Sequence, residues 1–137
     1  MGLLSDMAAG SERRLIAARA VVGDAELRER CAALPPLPRL RLSAAGFDLI
    51  AELKLRSPAL GDLSAQTMDP VARLRGYAEA GAAICSILTE PSRFDGDLAH
   101  LRQAATTLAP YGVPAMRKDF LVDPYQVLEA RANGAGG

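Results

Sequence analysis

The sequence predicts an α/β fold: a helical N-terminal extension over residues 1–46, then three strand–helix units over 47–137 whose strands run parallel. Two observations carry this. From Phe47 onward, short apolar runs alternate three times with longer helical segments, the pattern of a parallel sheet with crossover helices. Asp-Pro also opens two of those helices, at Asp69-Pro70 and Asp123-Pro124, and a glycine closes each, at Gly81 and Gly134. An aspartate accepts from the free N–H groups of a first turn. Proline there lacks an N–H that would have no helical partner, and glycine takes the left-handed turn at the other end.

Residues 1–34 are rich in Ala, Leu, Arg and Glu and contain no proline. Leu15, Ala18, Val21 and Val22 recur at helical spacing, and Asp24-Ala25-Glu26-Leu27 reads as an N-cap with acids in the first turn. Two helices are expected, over about 3–22 and 25–34. Leu34-Pro35-Pro36-Leu37-Pro38 ends the second and forms an extended connector. Arg39 to Ala45 is compatible with a short helix and with a loop. Strand one is expected over 48–54, followed by a loop holding Ser57-Pro58, Gly61 and Asp62 and a helix from Pro70 to about Ala80. Strand two covers 83–88, then come a loop through Thr89–Phe94 and a helix over 97–108. Pro110 and Gly112 turn the chain into strand three, 113–117, and a helix over 124–133. Gly134-Ala135-Gly136-Gly137 falls where a fourth strand should begin.

Sixteen basic and sixteen acidic residues cancel, so no global field would recruit nucleic acid or an anionic membrane. An anionic ligand would need a local site. Cys31 and Cys85 match no metal or redox spacing, and Cys85, inside an apolar run, reads as a buried thiol. No segment has the length of a membrane span or the apolar stretch of a signal peptide, and Met1-Gly2 is followed by Asp6 where myristoylation wants Ser or Thr. The expectation is a cytoplasmic protein with reduced thiols.

The stretch Ile50-Ala51-Glu52-Leu53-Lys54-Leu55-Arg56-Ser57-Pro58 departs from this apolar pattern. Side chains alternate faces along a strand, so Ile50, Glu52 and Lys54 share one face and Leu49, Ala51 and Leu53 the other. A helix-covered parallel strand is normally apolar on both faces. Two opposite charges on one face therefore suit either a structural ion pair or a site at the strand's C-terminal end. The other strands end similarly: the second in Ser86 with Thr89 and Glu90 beyond it, the third in Arg117 and Lys118. Lys118 shares parity with the inward face, so Glu52, Lys54 and Lys118 would converge on one rim, a place for an anionic small molecule.

These residues carry a resemblance. Ile50-Ala51-Glu52-Leu53-Lys54-Leu55-Arg56-Ser57-Pro58 with Gly61, then Ser86-Ile87-Leu88-Thr89-Glu90 with Phe94-Asp95-Gly96, then Arg117-Lys118-Asp119-Phe120 with Asp123-Pro124-Tyr125-Gln126, stand in the order found in indole-3-glycerol-phosphate synthase. The match covers about residues 47–135, and the helical N-terminus resembles that family's preface to its first strand. The resemblance implies a (βα)8 TIM barrel that closes the indole ring of 1-(2-carboxyphenylamino)-1-deoxyribulose 5-phosphate, releasing CO2 and water, in tryptophan biosynthesis. It implies no metal and no organic cofactor. Carried over by motif, Lys118 is the general acid that protonates the carbonyl oxygen, and Lys54 binds the substrate carboxylate and helps hold the phosphate side. Glu52 orients both lysines and shares in proton transfer. Ser57 and Pro58 shape the loop over the site, and Phe94 and Phe120 pack against the anthranilate ring.

Only three of eight βα units are present, so the resemblance extends to a partial barrel. The segments bearing the family's second catalytic Glu, its Asn, its later Ser and most of its phosphate-binding glycines are missing; Ala59 and Leu60 are a smaller departure, where the family often has Ser-Lys. Phosphate sites in such barrels usually come from the loops after strands seven and eight. Three strands leave two open edges and an uncovered inner face, which favours self-association or completion by a separately encoded C-terminal portion. The expected function is that of the synthase, with the isolated chain inactive. The alternatives are a non-catalytic homologue acting as a partner or assembly module, and a phosphate-binding barrel with another substrate.

Overall fold

Local signals place the helices and the long-range pairing of apolar strands places the sheet. The computed structural model describes residues 2–63 and 69–137. Helices α1 (Leu3–Val21) and α2 (Asp24–Ala33) come first, followed by an irregular segment that settles the open question over 39–45 as a loop. Ser43 donates through both N–H and hydroxyl to the Asp48 carboxylate there. The α1–α2 junction differs from expectation in one respect. Gly23 rather than Asp24 is the N-cap, and the Asp24 carboxylate is held instead by Arg19 at 2.7 Å, a partner from the previous helix.

Strand β1 (Ile50–Leu53) is followed by a small antiparallel hairpin, β2 (Arg56–Ser57) with β3 (Gly61–Asp62), where the sequence suggested only a loop. Residues 64–68, in the rest of that connection, lie outside the described residues. Helix α3 (Pro70–Glu79) starts as expected: the Asp69 carboxylate accepts from Ala72 N, and Gly81 turns the chain at φ 88°. Strand β4 (Ile84–Leu88) leads into a four-residue helix, α4 (Pro91–Phe94), inside the segment expected to be a loop. Helix α5 (Leu98–Leu108), capped by Asp97, and a short 3-10 turn (Ala109–Tyr111) lead to β5 (Ala115–Lys118). Helix α6 (Pro124–Ala132) is capped by Asp123, which accepts from Tyr125 N at 2.8 Å.

The main sheet is parallel, in the order β1-β4-β5, with Glu52 beside Ser86 and Leu88 beside Lys118. One face is covered by helices. Leu53, Cys85, Ile87 and Ala115 point into a core with Leu74 of α3, Leu101, Ala104 and Leu108 of α5, and Ala130 of α6. Burial pushes the Cys85 thiol up to about 11, so it stays protonated at neutral pH, consistent with the expected buried thiol. A second cluster joins the N-terminal helices to this body: Leu15 of α1 and Leu27 of α2 pack on Tyr125 of α6. Among the described residues, no helix is long and apolar enough to cross a membrane.

The opposite face carries Ile50, Glu52, Ile84, Ser86, Leu88, Met116 and Lys118. It is open at the β1 edge, where Ile50 is exposed, and at Lys118 of β5, but not along β4, whose Ile84, Ser86 and Leu88 are buried. The expected uncovered inner face is thus confined to the two strands that flank β4. The tail contributes here. Ala135 bridges Ala115 in parallel, Gly136 N donates to Ala115 O at 2.9 Å, and Arg117 N donates to Gly137 O at 3.1 Å. This single bridge lies where the sequence placed the start of a fourth strand.

Gly96 shows how closely the chain returns on itself after β4. A methyl group there would lie 2.6 Å from Leu88 O and 2.7 Å from Glu90 N, both backbone atoms that cannot step aside. Its N–H also closes the α4 turn onto Glu90 O at 2.9 Å. Gly96→Ala is expected to destabilise the fold by about 1–3 kcal/mol. Denaturant unfolding of the variant measures this, and a midpoint equal to wild type would contradict the close approach.

Candidate active site

The three parallel strands place their C-terminal ends at one rim, and the charged residues gather there. Glu52 is the centre. Lys54 Nζ lies 2.8 Å from its Oε1, and Lys118 Nζ donates to its Oε2 from two strands away. The register explains this reach: β4 lies between β1 and β5, and its side chain level with Glu52 is the small Ser86, which leaves the span clear for Lys118. Burial alone would push the Glu52 carboxyl up. The hydrogen bonds from Lys118 and Lys54 outweigh it and hold the group below its ordinary range. Glu52 is therefore ionised at neutral pH, and one carboxylate organises two cations. These are the only lysines in the chain; every other basic side chain except His100 is arginine.

Ser86 lies against this cluster on the inner face. It is buried, and among the described residues its Oγ has no hydrogen-bond partner.

The other expected site residues stand on the connections leaving the same strand ends. Ser57 is in β2, its Oγ accepting from Ala59 N at 3.3 Å, and Pro58 is exposed in the hairpin turn. Phe94 is the last residue of α4, and Phe120 follows Lys118 by two positions; both rings are half-buried. Arg56 reaches Asp95 at 3.4 Å, tying the hairpin to the end of α4. The structure thus brings Lys118, Glu52 and Lys54 into direct contact. It places Ser57, Pro58, Phe94 and Phe120 at the same rim, with no hydrogen bond to the three among the described residues.

Behind the rim lies a second set of charges that sequence reasoning did not assemble. Arg117, next to Lys118, points to the helical side and is buried. It donates to Thr89 Oγ1 (3.1 Å), Gln126 O (3.0 Å), Glu129 Oε2 (2.8 Å) and Asp119 Oδ2 (3.3 Å). Glu90 is also buried. Its carboxylate caps α4 by accepting from the Ser92 hydroxyl and from Ser92 N and Arg93 N. Burial pushes the Glu90 carboxyl up, but these bonds and nearby Arg14 bring it below its ordinary range. Arg117 and Glu90 were legible only as strand-end charges. Alternation could have assigned Arg117 to the helical face, since Lys118 faces inward.

The family model described as indole-3-glycerol phosphate synthase matches residues 7–136. The chain is 45% identical to the indole-3-glycerol phosphate synthase of a Nocardioides species, over 98% of this chain and 51% of that protein. It is 42% identical to the protein of that name from an Arthrobacter species, again over 98% and 51%, and 41% identical to that of Saccharopolyspora erythraea, over 98% and 49%. The chain spans about half the length of the curated relatives it matches. The extended match takes in the N-terminal helices as well as the strands, and the chain belongs to the indole-3-glycerol phosphate synthase family.

Proposed function

We propose that this chain carries the acid–base side of an indole-3-glycerol-phosphate synthase site. It would act in tryptophan biosynthesis in the cytoplasm, on 1-(2-carboxyphenylamino)-1-deoxyribulose 5-phosphate, once the remaining strands of the barrel are supplied. The observation that carries this reading is the shared carboxylate: both lysines of the chain converge on Glu52 at the C-terminal rim of a parallel sheet. Ring closure requires a proton at the substrate carbonyl oxygen as the aromatic ring attacks that carbon. Lys118, the more exposed of the two lysines, is the proton donor. Lys54 holds the carboxylate that leaves as CO2, and Glu52 keeps both ammonium groups aimed and takes part in returning the proton. Ser57 and Pro58 form the rim loop, and Phe94 and Phe120 form the apolar slot for the aromatic ring.

In barrels of this kind the phosphate anchor comes from the loops after strands seven and eight, outside the half of the relatives that these residues match, so the 137 residues alone are expected not to turn over. The test is growth. A chimera in which this chain replaces the matching half of the Nocardioides relative should restore tryptophan-independent growth to a strain lacking the synthase, and its Lys118→Ala form should not. A soluble, folded chimera that fails to restore growth would contradict the reading.

Lys54 is assigned to binding, and its removal should separate from that of Lys118 in kinetics. In the purified chimera, Lys54→Ala is expected to raise KM by about tenfold to a hundredfold, the value of one charge-assisted hydrogen bond, with a smaller change in kcat. A normal KM with a reduced kcat would move Lys54 from binding to chemistry.

A further inference from the structure

The N-terminal helix is joined to the proposed site through one side chain. Arg14, in the middle of α1, donates through Nη2 to Asp119 Oδ1 at 2.7 Å, and its Nη1 lies 3.6 Å from Glu90 Oε1. Asp119 directly follows Lys118, and its side chain is fully buried. Its two oxygens are completely engaged: Oδ1 accepts from Arg14 and from Phe120 N (2.8 Å), Oδ2 from Thr89 Oγ1 (2.8 Å) and Arg117 Nη2 (3.3 Å). Glu90 in turn caps the helix that ends in Phe94. One guanidinium therefore holds the connection after β4 and the connection after β5 in a fixed relation. Nearby, Gln126 Nε2 donates to Ser11 Oγ at 2.8 Å, both residues buried, which sets α1 at this depth against α6.

We propose that Arg14 is a positioning residue for Lys118, acting through Asp119, so that the N-terminal helix sets the placement of the proposed acid. This rests on the functional reading above. The charge balance of the buried network separates positioning from simple support. Arg117 also faces Asp119, at 3.3 Å, shared with Glu129 at 2.8 Å, and is itself buried, whereas Arg14 is partly exposed. Without Arg14 the carboxylate keeps three donors, the cation Arg117 and the neutral Thr89 Oγ1 and Phe120 N, so the fold is expected to persist. Oδ1 is then held by Phe120 N alone, and the backbone that carries Lys118 and Phe120 gains freedom. Small displacements of a reacting group cost much in rate while leaving binding nearly intact.

The chain's two lysines provide a direct readout, because selective 13C-lysine labelling of the 137-residue chain gives one side-chain signal for Lys118 and one for Lys54. In Arg14→Met the Lys118 signal is expected to move further than that of Lys54, with Arg13→Met, on the neighbouring exposed residue, moving neither. A Lys118 signal that moves no more than that of Lys54 would overturn the proposal. Arg14→Lys, which keeps the charge on a single donor, is expected to give a smaller displacement in the same direction and serves as the variant of record if Arg14→Met does not fold. In the chimera, Arg14→Met should lower kcat about tenfold to a hundredfold with KM within about threefold of the parent. An unchanged kcat would also overturn it. Lack of turnover in the unsubstituted chimera would fault the functional reading instead, and the lysine spectra of the chain would still decide the role of Arg14.

Discussion

Lys118→Ala is expected to lower kcat of a completed barrel by about a hundredfold to ten-thousandfold, the usual value of a general acid. KM should change far less, because the proposed anchors of the substrate's anionic groups are Lys54 and the phosphate loops. The geometry adds a second expectation. Lys118 and Lys54 share Glu52, one on each oxygen, and together hold that carboxyl below its ordinary range. Removing Lys118 leaves burial opposed by Lys54 alone, so the Glu52 carboxyl should titrate higher in the variant than in the parent. Carboxyl 13C titration of Glu52 measures this. A variant with parental kcat would remove Lys118 from the chemistry, and an unmoved Glu52 would mean that the contact between them is not maintained in solution.

Arg117→Met is expected to have the largest effect on stability, about 3–5 kcal/mol, because it breaks a buried charge network by removing one partner. Arg117 and Asp119 are almost wholly inaccessible to solvent, and Glu129 is mostly so. Methionine fills much of the arginine stem's volume, so the loss isolates the guanidinium rather than the packing. It withdraws donors from Thr89, Gln126 O, Glu129 and Asp119 at once. The uncompensated carboxylates then dominate. Adding Glu129→Gln to Arg117→Met should therefore recover part of the loss, whereas two independent sites would show none. Denaturant unfolding of the two single variants and the double variant gives the coupling. A cost below about 0.5 kcal/mol for Arg117→Met, the scale of an ordinary surface change, would show that the network is not intact in solution.

What the sequence made legible was local or periodic. Asp69 and Asp123 cap their helices because an aspartate two or three residues before a free N–H is a contact the chain makes with itself. Gly81 and Gly134 sit at positive φ for the same kind of reason. The inward parity of Glu52 and Lys118 followed from strand alternation, whereas their meeting also required that the strand between them present the small Ser86 level with Glu52.

The errors arose where a rule had a competitor. Asp24 looked like a cap, but Arg19 offers it a charged partner and Gly23 takes the extended backbone instead. Helix α4 was hidden because its cap is a glutamate, a poor capping residue, held in place by burial and Arg14. The β2–β3 hairpin has two residues per strand, too few for alternation to register. The contact of Arg14 with Asp119 joins residues more than a hundred positions apart, and no periodicity announces it.

The central question is whether the Glu52-centred pair of lysines performs ring closure. The direct measurement is formation of indole-3-glycerol phosphate from the carboxyphenylamino substrate by the purified chimera, followed by product fluorescence with the molecular mass recorded in the same sample. Turnover in the chimera that vanishes in Lys118→Ala and in Glu52→Gln is the predicted result. A folded chimera that binds the substrate yet forms no product, or that forms it equally well without Lys118, would contradict it.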